Sequence, residues 1–213
     1  MTMEALSTGA AVQIVLAAGR SERMGTTKAL LQFGKRSALA LALDAAAGAG
    51  VEESIVVVGE NASEVLVAHD VASSGTTVTW ARNEEEGSEQ LRSLQVGLSA
   101  IAREMIECFF IHPVDYPLAT SQDYLLLLGA LAAGKPETTV FFLSHNRRRG
   151  HPVLCRAALA EKFLGLRPGA TARDVVEGEK QAYVVTENAG VLEDMDTPED
   201  YQRLLEAYRR RQG

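Results

Sequence analysis

Only two cysteines, Cys108 and Cys155, occur in 213 residues, and they form no CxxC pair. That excludes a disulfide framework and a thiolate zinc site, and it fits a reducing cytoplasm. No apolar run reaches the roughly 20 residues that a membrane-spanning helix needs. Residues 1–11 carry neither lysine nor arginine, so neither a secretory leader nor membrane contact is expected. Positive charge is not in surplus either. The net charge is −7, which argues against a broad nucleic-acid footprint. Two common phosphate-binding glycine patterns are missing as well. The G-x-G-x-x-G fingerprint fails because Ser21 stands two residues after Gly19, and the P-loop fails because Gly25 is followed by Thr26. Neither a Ser-His-Asp nor a Cys-His nucleophile pattern is visible.

What is present is ordinary in bulk and ordered in detail. Hydrophobic residues make up 46% and charged residues 23% of the chain. That balance suits a single domain over residues 1–213 with a sizeable core. Short β-branched or aromatic runs predict strands at 12–16 (VQIVL), 54–58 (SIVVV), 76–80, 108–112 (CFFIH), 139–143, 152–155 and 183–186. Helical spacing or composition predicts helices at 37–49, 62–69, 91–107, 122–133, 156–164, 171–177 and 198–210. A basic turn is expected at 146–150. Alternation of the two element types predicts an α/β fold, a mainly parallel sheet with helices on both faces, with an antiparallel edge insertion at 139–155. Ligands of such sheets bind outside the carboxyl ends of the strands. The turns after Leu16, Gly59 and His112 should therefore share one rim.

The first of those turns is LAAGRSERMGTTK, residues 16–28. Glycines free its backbone to present N–H groups, while Arg20, Arg23 and Lys28 add cations to an otherwise acidic chain, a combination suited to phosphate. The alternative is an ordinary strand-to-helix turn with solvated cations. At the third turn, Asp115 is stiffened by Pro113 and Pro117, which suits either a carboxylate aimed at the rim or a simple turn-former. Asp196, with Asp194 as a weaker substitute, precedes Thr197 and Pro198, themselves a sound helix start. His112 is expected to end a strand and pack. Cys155 is expected to be buried.

Four motifs in order resemble the nucleotidyltransferases of molybdenum cofactor biosynthesis, most closely the molybdenum cofactor cytidylyltransferase branch. They are the loop at 16–28, PVDYPL at 113–118, GHPVL at 150–154 and DMDTPEDY at 194–201. The resemblance implies a three-layer Rossmann-like domain that transfers CMP from CTP to the phosphate of a molybdopterin-type acceptor carrying molybdenum and releases pyrophosphate. It implies Mg²⁺ held by Asp115 and Asp196. Arg23, Lys28 and Asp115 would be catalytic, and Leu16, Ala17, Ala18, Gly19, Arg20, Gly25, Lys28, Asn83, Gly87 and Ser93 would bind the nucleotide. Gly150, His151 and Pro152, beside Arg147–Arg149, would face the acceptor. Ala18, where guanylyl enzymes carry glycine, points to CTP, and a molybdenum hydroxylase would receive the product. Two stretches depart from the family pattern. The gap between Gly87 and Ser93 is about two residues long in excess, and RPGATARDVV at 167–176 lacks an expected acidic residue. The competing readings are a related nucleotidyltransferase for GTP or another phosphate acceptor, and a non-catalytic carrier of the cofactor.

Overall fold

The computed structural model describes residues 11–19, 21, 23–60, 62–66, 75–85, 90–101 and 106–212. Its main sheet has seven strands. They are β1 (Ala11–Leu16), β4 (Glu53–Val58), β5 (Thr77–Arg82), β6 (Cys108–Pro113), β7 (Thr138–His145), β8 (Arg148–Arg156) and β9 (Lys180–Val185), in the order β5-β4-β1-β6-β8-β7-β9. A separate two-strand hairpin joins β2 (Gln32–Phe33) to β3 (Arg36–Ser37). The described helices are α1 (Ala38–Ala47), α2 (Ala62–Leu66), α3 (Gln90–Ser99), α4 (Ser121–Ala133), α5 (Ala160–Leu164), α6 (Ala172–Val176) and α7 (Pro198–Gln212).

β1 pairs in parallel with β4 on one side and β6 on the other, each in continuous register. The chain thus runs outward from β1 in one direction and then crosses to its other flank, which creates a switch point between β1 and β6. β1 and β6 are buried on both faces, so their sequences are near-continuous apolar runs rather than alternating ones. Ile14, Leu16, Phe109 and Ile111 pack toward α3, α5 and α6, through Leu94, Leu98, Phe163 and Val175. The opposite face packs on α1 and α4, through Leu39, Leu43 and Leu127. α7 closes over the β2–β3 hairpin, where Phe33 meets Tyr201 and Tyr208 edge-on.

Four differences from the sequence reading have local causes. β8 is antiparallel to both neighbours, but it lies inside the sheet, and β9, parallel to β7, forms the edge beyond it. The turn at 146–150 is only two residues long. Asn146 and Arg147 both adopt positive φ (50° and 63°), as a type I′ hairpin requires, and Arg148–Gly150 already belong to β8. The helix expected over 91–107 stops at Ser99, with Ile106 and Glu107 outside it. The helix expected at 156–164 begins as a 3₁₀ turn over Ala157–Leu159. The part of the helix expected at 67–69 lies outside the described residues. No helix among the described residues is long and apolar enough to cross a membrane.

Gly97 sets how closely α3 approaches the sheet. A Cβ there would stand 2.5 Å from Ile14 Cγ2 and 3.0 Å from Val57 Cγ2. Gly97→Ala is therefore expected to destabilise by about 1–3 kcal/mol despite better helix propensity. At Gly129, in α4, a Cβ meets nothing within 4 Å. Gly129→Ala should stabilise by roughly 0.5–1 kcal/mol. Urea unfolding of the two variants beside the parent checks both signs.

Candidate active site

The loop after β1 leaves the sheet tightly. Ala17 N–H donates to the Val57 carbonyl (2.9 Å), continuing the β1–β4 ladder, so Leu16 and Ala17 are part of the sheet. The chain then rises past Gly59, where a Cβ would stand 2.8 Å from the Ala18 carbonyl oxygen; only glycine lets the two turns approach this closely. Gly19 is exposed with open space where a Cβ would be. Ser21 adopts φ 54°, and its carbonyl accepts from Met24 N–H (2.9 Å) and Gly25 N–H (3.1 Å), while its hydroxyl accepts from Lys28 N–H (3.1 Å). Gly25, at φ 65°, completes the reversal. The turn brings Arg23 and Lys28 to the same side. Arg20 lies outside the described residues.

Those two cations meet the late acidic motif. Lys28 Nζ donates to Asp196 Oδ1 at 2.6 Å and stands 3.8 Å from Asp115 Oδ2, and Arg23 donates to Asp196 Oδ2 at 2.7 Å. The carboxylates reach this point from the middle and the late part of the chain. Asp115 lies in the turn after β6, whose residue Val114 donates its N–H to the Leu16 carbonyl (3.1 Å). Asp196 precedes α7, whose start is a reciprocal cap. Thr197 Oγ1 and N–H donate to Asp200 Oδ2, and Asp200 N–H donates back to Thr197 Oγ1. One further bond joins the two carboxylate segments, from Met195 N–H to the Asp115 carbonyl at 2.9 Å.

The electrostatics of the pair are unequal. Asp196, hydrogen-bonded by Lys28 and facing Arg23, is held below the usual carboxylate range. Burial pushes Asp115 above it, with Lys28 pulling the other way and the neighbouring Asp196 and Asp194 adding to the rise. Asp115 Oδ1 is buried and has no hydrogen-bond partner. A buried acceptor without a donor is costly, and a cation would satisfy it. Among the described residues no three His, Cys, Asp or Glu side chains gather to hold a metal alone. A pair of carboxylates nevertheless suits a hard cation such as Mg²⁺ or Mn²⁺, which takes water or phosphate in its remaining positions.

The other candidates divide. Asn83 lies just past β5 on the same rim; its N–H donates to the Val58 carbonyl (2.8 Å) and its side chain donates to Ser93 Oγ (3.0 Å). Gly87 lies outside the described residues. Gly150 is buried with its α-carbon against Val191, and Pro152 is buried. His151 is half-buried. Its ring packs on Tyr116 (centroids 4.4 Å apart), its Nδ1 is buried without a partner, and burial lowers its pKa to about 4. The three arginines of the hairpin are exposed, with Arg149 stacked over Phe142 and donating to the Tyr183 hydroxyl. Tyr116, next to Asp115 in sequence and packed on the His151 ring, was not among the expected site residues. Its position inside PVDYPL was the available signal.

The family described as "MobA-like NTP transferase domain" matches residues 13–184. A 148-residue stretch, 68% of this chain, is 42% identical to the bifunctional protein GlmU of Corynebacterium aurimucosum, and the match spans 30% of that longer protein. Over 197 residues, 92% of this chain and 95% of the relative, it is 26% identical to the molybdenum cofactor cytidylyltransferase of Escherichia coli K12. The crystal structure of Rv0371c from Mycobacterium tuberculosis superposes with a TM-score of 0.78 at 27% identity, covering 94% of this chain and 100% of that one. That protein has also been crystallised as a manganese complex.

The sign of the pH dependence follows from the two shifts. Asp196, lowered in the fold, contributes stability that is complete above its ordinary value of 3.8 and is lost as pH falls through its folded value. Asp115, raised in the fold, subtracts stability at neutral pH, a penalty that fades as acid protonates it. Lys28 strengthens the first effect and relieves the second. Lys28→Met should therefore cost about 1 kcal/mol at pH 7, a partly solvated pair being worth no more. The gap should close below pH 3.8, as thermal unfolding across pH would show.

Proposed function

Because the chain belongs to the MobA-like NTP transferase family and is therefore a nucleotidyltransferase, we propose that it transfers CMP from CTP to the phosphate of molybdenum-bearing molybdopterin, with Mg²⁺, releasing pyrophosphate. The observation that carries this reading is the cluster of Lys28, Asp196 and Asp115 at the carboxyl ends of β1 and β6. The full-length likeness to the cytidylyltransferase supports the choice of nucleotide and acceptor, and the manganese complex of Rv0371c supports a divalent ion.

In this reading the loop at 17–25 binds the triphosphate. Arg23, with its planar fork, and Lys28, a point charge on a flexible stem, neutralise the leaving β- and γ-phosphates. Lys28 already balances two carboxylates, and its stem lets the ammonium exchange them for phosphate oxygens without leaving the cluster. Asp115 and Asp196 would hold the cation, which when bound would neutralise charge on the α-phosphate and the incoming phosphate. The acceptor phosphate is ionised at neutral pH, so no general base is required, consistent with phosphoryl chemistry carried by positioning and electrostatics. Ala18, Asn83 and Ser93 would lie toward the base and ribose. Gly150, His151 and Pro152 form the wall on the acceptor side, where the hairpin arginines offer charge.

A second reading rests on the GlmU stretch, whose local identity of 42% exceeds that to the cytidylyltransferase. It keeps the chemistry and changes the acceptor to a different phosphate monoester.

Pyrophosphate release should be measured with CTP, GTP and ATP, with Mg²⁺ and Mn²⁺, and with molybdenum-loaded molybdopterin or a sugar 1-phosphate. Release from CTP that requires both the divalent ion and the molybdopterin is expected. Preference for GTP would overturn the nucleotide assignment, and turnover of the sugar phosphate alone would favour the second reading. Asp115→Ala and Asp196→Ala should each lower kcat by about 10²–10³-fold, the loss typical of a removed electrostatic stabiliser. Undiminished maturation of a molybdenum hydroxylase by Asp115→Ala would instead indicate a carrier.

A further inference from the structure

β1 and β6 are apolar strands with one polar exception each, Gln13 and His112, and both side chains are 0% exposed. They lie on the face that packs against α1 and α4. A carboxamide and an imidazole in that position cost several times the free energy of one hydrogen bond unless every group is paired. Here they are paired in a directed series. The Ser54 hydroxyl donates to Gln13 Oε1 (2.8 Å), and Gln13 Nε2 donates to the Tyr124 hydroxyl oxygen (2.6 Å) and to the Ala42 carbonyl (3.0 Å). The Tyr124 oxygen lies 2.6 Å from His112 Nδ1, and His112 Nε2 lies 3.0 Å from the Tyr116 carbonyl oxygen. A carbonyl can only accept, so Nε2 carries the proton and Nδ1 accepts from Tyr124. The series therefore runs from Ser54 through Gln13, Tyr124 and His112, and it ends on the carbonyl of Tyr116, the residue that follows Asp115. Linked bonds of this kind polarise one another and hold their members rigidly.

The Asp115 turn is thereby gripped at successive peptides. Tyr116 N–H closes the turn on the Pro113 carbonyl (3.1 Å), Met195 N–H holds the Asp115 carbonyl (2.9 Å), and His112 holds the Tyr116 carbonyl. A leucine at position 112 would fill the core as its neighbours do, but it could not make the last of these bonds. We propose that His112, backed by Tyr124 and Gln13, is a positioning residue: it fixes the Tyr116–Pro117 peptide, one residue beyond Asp115, and so holds the Asp115 carboxylate at the spacing from Asp196 that a divalent cation and nucleotide require. This rests on the assignment of Asp115 as a metal-holding carboxylate under Proposed function.

Two substitutions separate positioning from packing. His112→Gln keeps an N–H donor near the place of Nε2. His112→Asn is equally polar and too short to reach the Tyr116 carbonyl. In the full-length protein, Mn²⁺ affinity is read by electron paramagnetic resonance with CTP present, beside kcat, KM for CTP and the melting temperature. His112→Asn is expected to lose about 10–100-fold in Mn²⁺ affinity and in kcat, the usual effect of an outer-shell partner, with KM for CTP within about threefold. His112→Gln should restore both to within about threefold. His112→Asn behaving like the parent in both, while Asp115→Ala loses both, would overturn the proposal. Asp115→Ala retaining Mn²⁺ affinity would overturn the metal assignment itself. Should the position-112 variants fail to fold, Tyr124→Phe removes a single hydroxyl from the series: a loss of Mn²⁺ affinity at constant KM supports the proposal, and unchanged affinity refutes it.

Discussion

One ammonium group, Lys28 Nζ, stands between two carboxylates that lie 81 residues apart in sequence (196 − 115). Without it, Asp115 and Asp196 would face each other across a partly buried space, and their repulsion would work against the folding of both turns. With it, the loop after β1, the turn after β6 and the approach to α7 form one charge-balanced cluster. Arg23 extends the cluster outward to solvent. In the proposed function, a metal–triphosphate complex would enter this cluster by exchange, ammonium for metal and carboxylate for phosphate.

The sheet explains why these residues can meet. β1 and β6 are adjacent and parallel, so their carboxyl ends deliver the glycine loop and the Asp115 turn to one rim. Gly59 permits the neighbouring turn to approach Ala18 closely, and the bond from Met195 N–H to the Asp115 carbonyl pins the late segment to the early one. Behind that rim, buried polar groups on β1 and β6 connect the sheet core to the Asp115 turn. Rigidity of this kind is what an enzyme relying on placement rather than covalent chemistry needs.

Much of this was legible in the chain. Buried parallel strands announce themselves as short β-branched runs, as in VQIVL and SIVVV, and Thr197-Pro198 marks a helix start that the cap bonds bear out. Asp196, left unexplained by that cap, is the residue that binds Lys28. Other features were beyond sequence patterning. The β2–β3 hairpin has two residues per strand, too few for any periodicity. Asn146-Arg147 makes a two-residue turn without the glycine that usually signals one. The GHP motif is expected to face the acceptor, but the packing of the His151 ring on Tyr116 could not be read from it, because side-chain direction around a strand irregularity is a tertiary matter. His112 reads as a packed strand end. It is packed, and it also donates toward the Asp115 turn, a distinction carried only by the partners of its two ring nitrogens.

The most direct measurement is a crystal structure of the protein with Mn²⁺ and a non-hydrolysable CTP analogue, using the anomalous signal of manganese. A manganese peak is expected between Asp115 and Asp196, with Asp115 Oδ1 among its ligands and Lys28 Nζ turned onto a phosphate oxygen. Manganese bound elsewhere, or Lys28 still bridging the two carboxylates with nucleotide in place, would contradict that expectation.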